Sequence, residues 1–272
     1  MPSLLRSKKN SQRKYIDLIN EASSKWANWD PPRRINPGDF GTVIKSTGEL
    51  VVEGNIYTHA DLVHIARKYP PSEGHETDRY HIHSYEVRGV DVGAGLGANL
   101  LGIQGLVFKS RWQFNSKRGA VLLMYQPQLI TVPDAFFSET QDIPILKNKS
   151  VVYQVFNCPG FYMYLSNKVN EQVAVGLRAD LPPQLSNVNP ALGVGWTAHG
   201  SIGIGQQGYQ PDATYTPLFS LRSLRKRLLR RGESDQGPTE LWDETRVPWN
   251  RLDDDGMSEA EDDSDDDNDN DD

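Results

Sequence analysis

The chain has 272 residues, of which 24% are charged and 37% hydrophobic, and a formal net charge of −7. That length buries one large core or two small ones, while seventeen prolines and a mean hydropathy of −0.58 describe a soluble, loop-rich protein. The single cysteine, Cys158, excludes an internal disulfide and suggests a reducing, intracellular setting.

Residues 1–14 are rich in Ser, Lys and Arg, with only Leu4 and Leu5 as an apolar pair, a composition that does not fit a secretory signal. From 4 to 26 the chain reads as a basic amphipathic helix. Tyr15, Ile16, Leu18, Ile19 and Ala22 recur at helical spacing behind Arg6, Lys8, Lys9, Arg13 and Lys14. Trp29-Asp30-Pro31-Pro32 is expected to end it, since proline removes a donor and fixes the backbone. Two short strands, 38–43 and 47–57, surround a Ser-Thr-Gly turn, and a short helix over 58–68 starts at Thr58 as its cap. Long strands follow over 81–92, 106–114 and 120–125, and a second strand-rich region covers 151–165, 172–181 and 193–204. From 218 to 231 the spacing predicts another basic helix, with Leu221, Leu224, Leu228 and Leu229 opposite Arg222, Arg225, Lys226, Arg227, Arg230 and Arg231.

Charge divides the chain at Gly232. Residues 232–272 hold eighteen acidic and two basic residues, whereas residues 1–231 hold twenty-seven basic and eighteen acidic. A basic body thus carries an acidic tail. The stretch 253–272 is too acidic and too poor in apolar residues to fold alone, but Trp242 and Trp249 are expected to anchor their part of the tail on the body.

Two stretches, 89–105 and 193–208, hold twelve of the twenty-three glycines. In the first, Val92, Ala94, Leu96, Ala98 and Leu100 alternate with Gly93, Gly95, Gly97 and Asn99. In the second, Val194, Trp196, Ala198, Gly200, Ile202 and Ile204 alternate with small or polar residues. Each reads as a strand with one apolar face. A soluble antiparallel sheet uses such strands, and so does a membrane β-barrel, in which about 9–11 residues cross the bilayer. Pattern alone favours the soluble sheet; the glycine density weighs against a plain core strand and suits one that can be refolded into a second setting.

Few residues announce catalysis. Gly93-x-Gly95-x-x-Ala98 fits a dinucleotide fingerprint formally, without the helix or the later acidic residue that would give it meaning. His81 and His83 share a strand face without a third ligand, and Cys158 reads as a buried small residue. Asn148-Lys149-Ser150 matches a glycosylation acceptor by chance. With no nucleophilic triad or phosphate loop, the chain is expected to be no enzyme and to need no cofactor or metal. The two basic segments suit an anionic membrane surface, a solvated helix face, or contact with nucleic-acid phosphates.

Trp26-Ala27-Asn28-Trp29-Asp30-Pro31-Pro32, Gly38-Asp39-Phe40-Gly41-Thr42, Thr47-Gly48 and Glu53-Gly54-Asn55-Ile56-Tyr57 together resemble the N-terminal half of the fungal gasdermin-like proteins, over most of 4–231. The resemblance implies an α+β fold, a twisted antiparallel sheet flanked by helices, in which two sheet regions, 80–125 and 151–205, convert to membrane-spanning β-hairpins. Residues 1–231 would be the pore-forming domain and 232–272 a largely disordered regulatory tail. Arg6, Lys8, Lys9, Arg13 and Lys14, with Arg222, Arg225, Lys226, Arg227, Arg230 and Arg231, would bind acidic phospholipid. Val92, Ala94, Leu96, Ala98, Val194, Trp196, Ala198, Ile202 and Ile204 would face the membrane interior.

Implied partners are the inner plasma membrane, further copies or an allelic variant of the chain, and an activating protease, with no nucleic acid. The implied setting is regulated cell death in fungal non-self recognition, heterokaryon incompatibility, by a protein cytoplasmic until active. Animal gasdermins carry a large folded inhibitory domain where this sequence has about forty residues. Here the acidic tail is expected to fold back over 222–231 and the first helix, masking cations until it is cleaved or displaced. The competing reading is an acidic-tailed histone or nucleic-acid-associated chaperone, with Ser258 and Ser264 as acidic-directed kinase sites.

Overall fold

The computed structural model describes residues 2–90, 106, 108–178, 195–212, 214–226 and 240–254, the side chains of 2–9, 226 and 240 excepted. Helix α1 (Pro2–Ser23) opens the chain. Tyr15, Ile16 and Ile19 lie fully buried on one face, and the Tyr15 hydroxyl donates to the Val121 carbonyl at 3.0 Å. The helix ends at Ser23, well before the prolines at 31 and 32. Ser24 takes a left-handed φ of 57°, and the Ser23 hydroxyl donates to the Ile19 carbonyl at 2.7 Å, closing the last turn.

After β1 (Trp26–Ala27), β2 (Asp39–Val43) and β3 (Leu50–Asn55) form the expected hairpin. Gly48 turns it with φ 75°, and a Cβ there would come within 2.9 Å of the Ile16 side chain. The helix expected over 58–68 is only α2 (Val63–Ala66), with Leu62 at the N-cap position and no side-chain cap. The Thr58 hydroxyl bonds the Asn55 carbonyl at 3.3 Å instead of an N-terminal amide. Next come β4 (Ser72–Glu76), β5 (Arg79–His83), β6 (Val87–Val90), β7 (Phe108–Phe114), β8 (Ala120–Tyr125), β9 (Gln128–Thr131) and α3 (Asp134–Glu139). The remaining strands are β10 (Ser150–Cys158), β11 (Gly160–Leu165), β12 (Glu171–Arg178), β13 (Gly195–His199), β14 (Ile204–Tyr209), β15 (Tyr215–Lys226) and β16 (Glu240–Glu244).

The fold is α+β, with few helices and antiparallel pairing throughout the described strands. Three sheets stack. A body sheet runs β1-β15-β10-β2-β3, with β16 also on β15 and with β9 and β4 beside β10; an inner sheet runs β14-β11-β8-β5, and an outer sheet runs β13-β12-β7-β6. One core joins α1, the body sheet and one face of the inner sheet through Ile16, Leu122, Met163 and Phe219. A second fills the space between inner and outer sheets, around Leu123, Tyr164, Trp112, Val175 and Trp196. A third packs α2 and α3 on the far face of the body sheet.

Beyond the shortened helix at 58–68, the runs expected over 81–92 and 151–165 are each divided into two strands, and two further expectations are overturned. The described part of 218–231 is strand β15, not a helix. It lies between β10 on one edge and β1 and β16 on the other, so backbone pairing on both sides outweighs a leucine and arginine spacing that also suits a helix. The strand expected over 193–204 is divided into β13 and β14 by a turn in which Gly200 has φ 83°.

Candidate functional site

The inner and outer sheets are consecutive halves of the same runs of chain. β5 leads into β6, β7 into β8, β11 into β12, and β13 into β14, and the lateral order is the same in both sheets. They form one four-stranded sheet doubled over along a crease at 84–86, 115–119, 166–170 and 200–203. The central seam keeps a single register across that crease. Six residues back from Glu171, which pairs with Phe114, lies Leu165; six residues on from Phe114 lies Ala120, its observed partner. The flanking seams do not match. From His83 to Val87 is four residues while their partners Val121 and Phe114 are seven apart. Likewise Leu165 and Ala174 are nine apart, and their partners Ile204 and His199 five.

Polar side chains stitch the crease from strand to strand. The Ser84 hydroxyl accepts the Ala120 amide at 3.1 Å, and the Ser166 hydroxyl accepts the Gly119 amide at 2.7 Å. At the third stitch the Glu171 carboxylate, buried at 4% exposure, accepts the Tyr164 hydroxyl, the Ile202 amide at 2.7 Å and the Asn167 amide at 3.2 Å. The Tyr164 oxygen in turn accepts the Gly203 amide at 2.6 Å. A Cβ on Gly203 would lie 2.1 Å from the Leu165 carbonyl oxygen, so the approach needs glycine. A buried carboxylate with three donors is satisfied; removing it would orphan the Asn167 amide and the Tyr164 hydroxyl, while the Ile202 amide would keep only the Tyr164 oxygen, 2.9 Å away.

The outer sheet is amphipathic. Val87, Phe108, Trp112, Phe114, Val173, Val175, Leu177 and Trp196 are buried against the inner sheet. Its other face carries the alternate residues. The inner sheet is apolar on both faces, because Ala120, Leu122 and Met124 join the body core while Val121 and Leu123 join the core under the outer sheet.

The described C-terminal residues grip the body at two places. Strand β16 pairs with the last five residues of β15. There the Trp242 ring packs edge-on to Phe137 with centroids 5.3 Å apart, and Tyr153 donates to Glu244 at 2.8 Å. Burial, and then that contact, push the Tyr153 hydroxyl up to about 12. The Arg222 guanidinium sits 4.4 Å over the Tyr153 ring and 2.6 Å from Asp134, and Arg225 lies 3.8 Å from Asp243. The second grip crosses α1. Arg13 lies 3.9 Å over the Trp249 ring and donates to the Asn250 carbonyl at 2.8 Å. Asp17 accepts the Trp249 indole at 2.8 Å, and Lys14 lies 3.5 Å from Asp254. Trp249 also meets Trp26 edge-on at 5.6 Å.

The expected lipid-binding residues are therefore unequal. Arg13 is buried at 6% exposure and pairs with Asp17 at 3.3 Å, and desolvation lowers its pKa against the pull of that carboxylate. Arg13, Lys14, Arg222 and Arg225 all meet the C-terminal residues or the body, while Lys226 pairs in register with Glu240. Arg227, Arg230 and Arg231, and the side chains of Arg6, Lys8, Lys9 and Lys226, lie outside the described residues. Val92, Ala94, Leu96, Ala98 and Val194 lie outside them too. Trp196 and Ala198 share the apolar face of the outer sheet, but Ile202 sits in the crease at 64% exposure and Ile204 starts β14 in the inner sheet, so the expected single face breaks at the crease.

His81 and His83 stack side by side against Trp112. Among the described residues no group of three or more His, Cys, Asp or Glu could hold a metal ion. Cys158 is buried at 2% exposure, and burial pushes its thiol up. The crease stitches escaped the sequence reading. Glu171 left a trace there, as a lone acid at the head of an alternating apolar strand.

No protein-family model matches the chain, nor does any curated protein. Among solved structures, the chain matches a gasdermin A3 membrane pore seen by cryo-electron microscopy, at 13% identity over 88% of this chain and 95% of that one. The TM-score is 0.29, a likeness too slight to establish a shared fold. No described helix is long and apolar enough to cross a membrane, which says nothing of crossing by strands.

Proposed function

We propose that this chain is a gasdermin-like pore-forming protein that binds acidic phospholipid, oligomerises and opens a β-barrel pore in the plasma membrane. The observation that carries the reading is the creased sheet, whose outer half is amphipathic and whose central seam keeps one register across the bend. Unbending needs no slippage between the middle strands. It turns the apolar face of the outer sheet from the inner sheet toward lipid, and a closed barrel pairs every backbone group that hydrocarbon would leave unpaired. The runs 87–114 and 171–199 are each long enough for two arms of more than ten residues, against the roughly 9–11 a tilted spanning strand needs.

Control rests with the C-terminal residues. Their grips occupy Arg13, Lys14 and Arg225, cations that an anionic surface would compete for, and they tie α1 and β15 to the closed body. Cleavage between β15 and β16, or displacement by an allelic partner copy, frees both. Cell death in fungal non-self recognition, and passage from cytoplasm to plasma membrane, follow from the motif resemblance.

Dye release from liposomes tests the reading. Leakage should require anionic phospholipid and should increase when the folded chain is cut at a protease site inserted at Gly232. No release from either the intact or the cut chain, at any lipid composition, would sink it.

A further inference from the structure

The register of the outer sheet fixes a second face, opposite the apolar one. Trp112 pairs with Gly89 and Val173 on the buried side, so alternation puts Arg88, Val90, Lys109, Arg111, Gln113, Gln172, Ala174, Gly176 and Arg178 on the other, joined by Thr197 and His199 of β13. Four of these are permanent cations, and among the described positions of this face none is acidic. Arg88 and Lys109 are exposed, Arg111 half-buried and Arg178 buried.

The cations are also clustered. Arg88 pairs with Gln113, two positions from Arg111, and Lys109 pairs with Gly176, two positions from Arg178, which makes two diagonal like-charge neighbours on one sheet face. By sequence, the residues between the paired strands add one acid to each hairpin, Asp91 and Asp180. Even with both counted, the cations outnumber the acids two to one.

We infer that this face lines the lumen of the pore and makes it selective for anions. The inference rests on the pore-forming reading and adds to it the class of solute that passes. A barrel that turns the Trp112 face to lipid must turn the Arg111 face to water. Each added copy then repeats Arg88, Lys109, Arg111 and Arg178, so a ring of subunits gives rings of positive charge, which concentrate anions and repel cations. Chloride and small polyanionic metabolites would cross ahead of cations of equal size, and the bias would weaken as salt screens the rings.

The test is the reversal potential of the full chain in a planar bilayer containing anionic phospholipid, under a potassium chloride gradient, with the intact chain and with the chain cut at Gly232. The expected chloride-to-potassium permeability ratio is several-fold above one. It should fall below one in Lys109→Glu/Arg111→Glu, and in Arg88→Glu/Lys109→Glu should the first pair fail to fold by circular dichroism. Reversing two exposed cations off this sheet, Arg34→Glu/Lys147→Glu, should leave the ratio unchanged. Channels with a ratio at or below one in the wild-type chain, or a ratio indifferent to the outer-face reversals, would overturn the inference while leaving the pore intact. No conductance from either form would overturn the pore reading and the inference with it.

Discussion

The inner and outer sheets are made of the same four runs of chain, but they meet different surroundings. Both faces of the inner sheet are packed, against the body on one side and the outer sheet on the other. The outer sheet has packing on one face and basic and polar side chains on the other. An inner strand cannot leave without opening two cores, whereas the outer sheet can exchange one apolar neighbour for another and keep its wet face wet. The bend between them thus separates a part that anchors from a part able to move.

That contrast can be broken most sharply in the inner sheet. Leu122→Ala, at a position with no exposure, should cost about 2–5 kcal/mol in chemical denaturation, whereas Gln113→Ala on the wet face of the outer sheet should stay within about 0.5 kcal/mol. Similar losses at both would mean the two sheets are held alike. At the crease, Glu171→Ala orphans the Asn167 amide and takes one of two acceptors from the Ile202 amide, and should cost about 1–3 kcal/mol. Hydrogen exchange should rise at Ile202 and Asn167 while β8 and β11 stay protected. An even rise along the chain would make Glu171 a general support with no special hold on the bend.

The smallest effect sharpens the contrast from outside, at the β16 grip. The Tyr153 hydroxyl is raised from 10 to about 12 in the folded protein, so its contribution is complete below pH 10 and is lost as pH rises through about 12. There a tyrosinate would face the Glu244 carboxylate. The fluorescence of Trp242, isolated by difference against Trp242→Phe, should change over that window and should not do so in Tyr153→Phe. No change in the parent chain would detach Tyr153 from the grip.

Part of this was legible beforehand. Strands are legible over 120–125 and 151–165, although the second is divided into β10 and β11, and the Tyr15, Ile16 and Ile19 spacing reads as the apolar face of a helix. The two tail tryptophans read as anchors and do meet the body. Strand β15 was misread because leucines and arginines at mixed spacing suit either structure. What decides between them, pairing with β10 and β16, lies tens of residues away in sequence. The crease was invisible for a related reason. Ser84, Ser166 and Gly203 are ordinary turn residues until their lateral partners are known, and those partners come from other strands.

Pairing the start of the chain with its end also sets an order in time. Trp26 of β1 pairs with Phe219 of β15, so the body sheet cannot be completed during synthesis until β15 has been made. The C-terminal grips reach Asp254, about 28 residues after Lys226, and at 5–20 residues per second they follow within roughly 1–6 s. Closing such distant contacts is itself slow for β-rich topologies, on the order of milliseconds to seconds. A newly made molecule therefore has its clasp close at hand almost as soon as it has a body to fasten, and spends little of its youth undone.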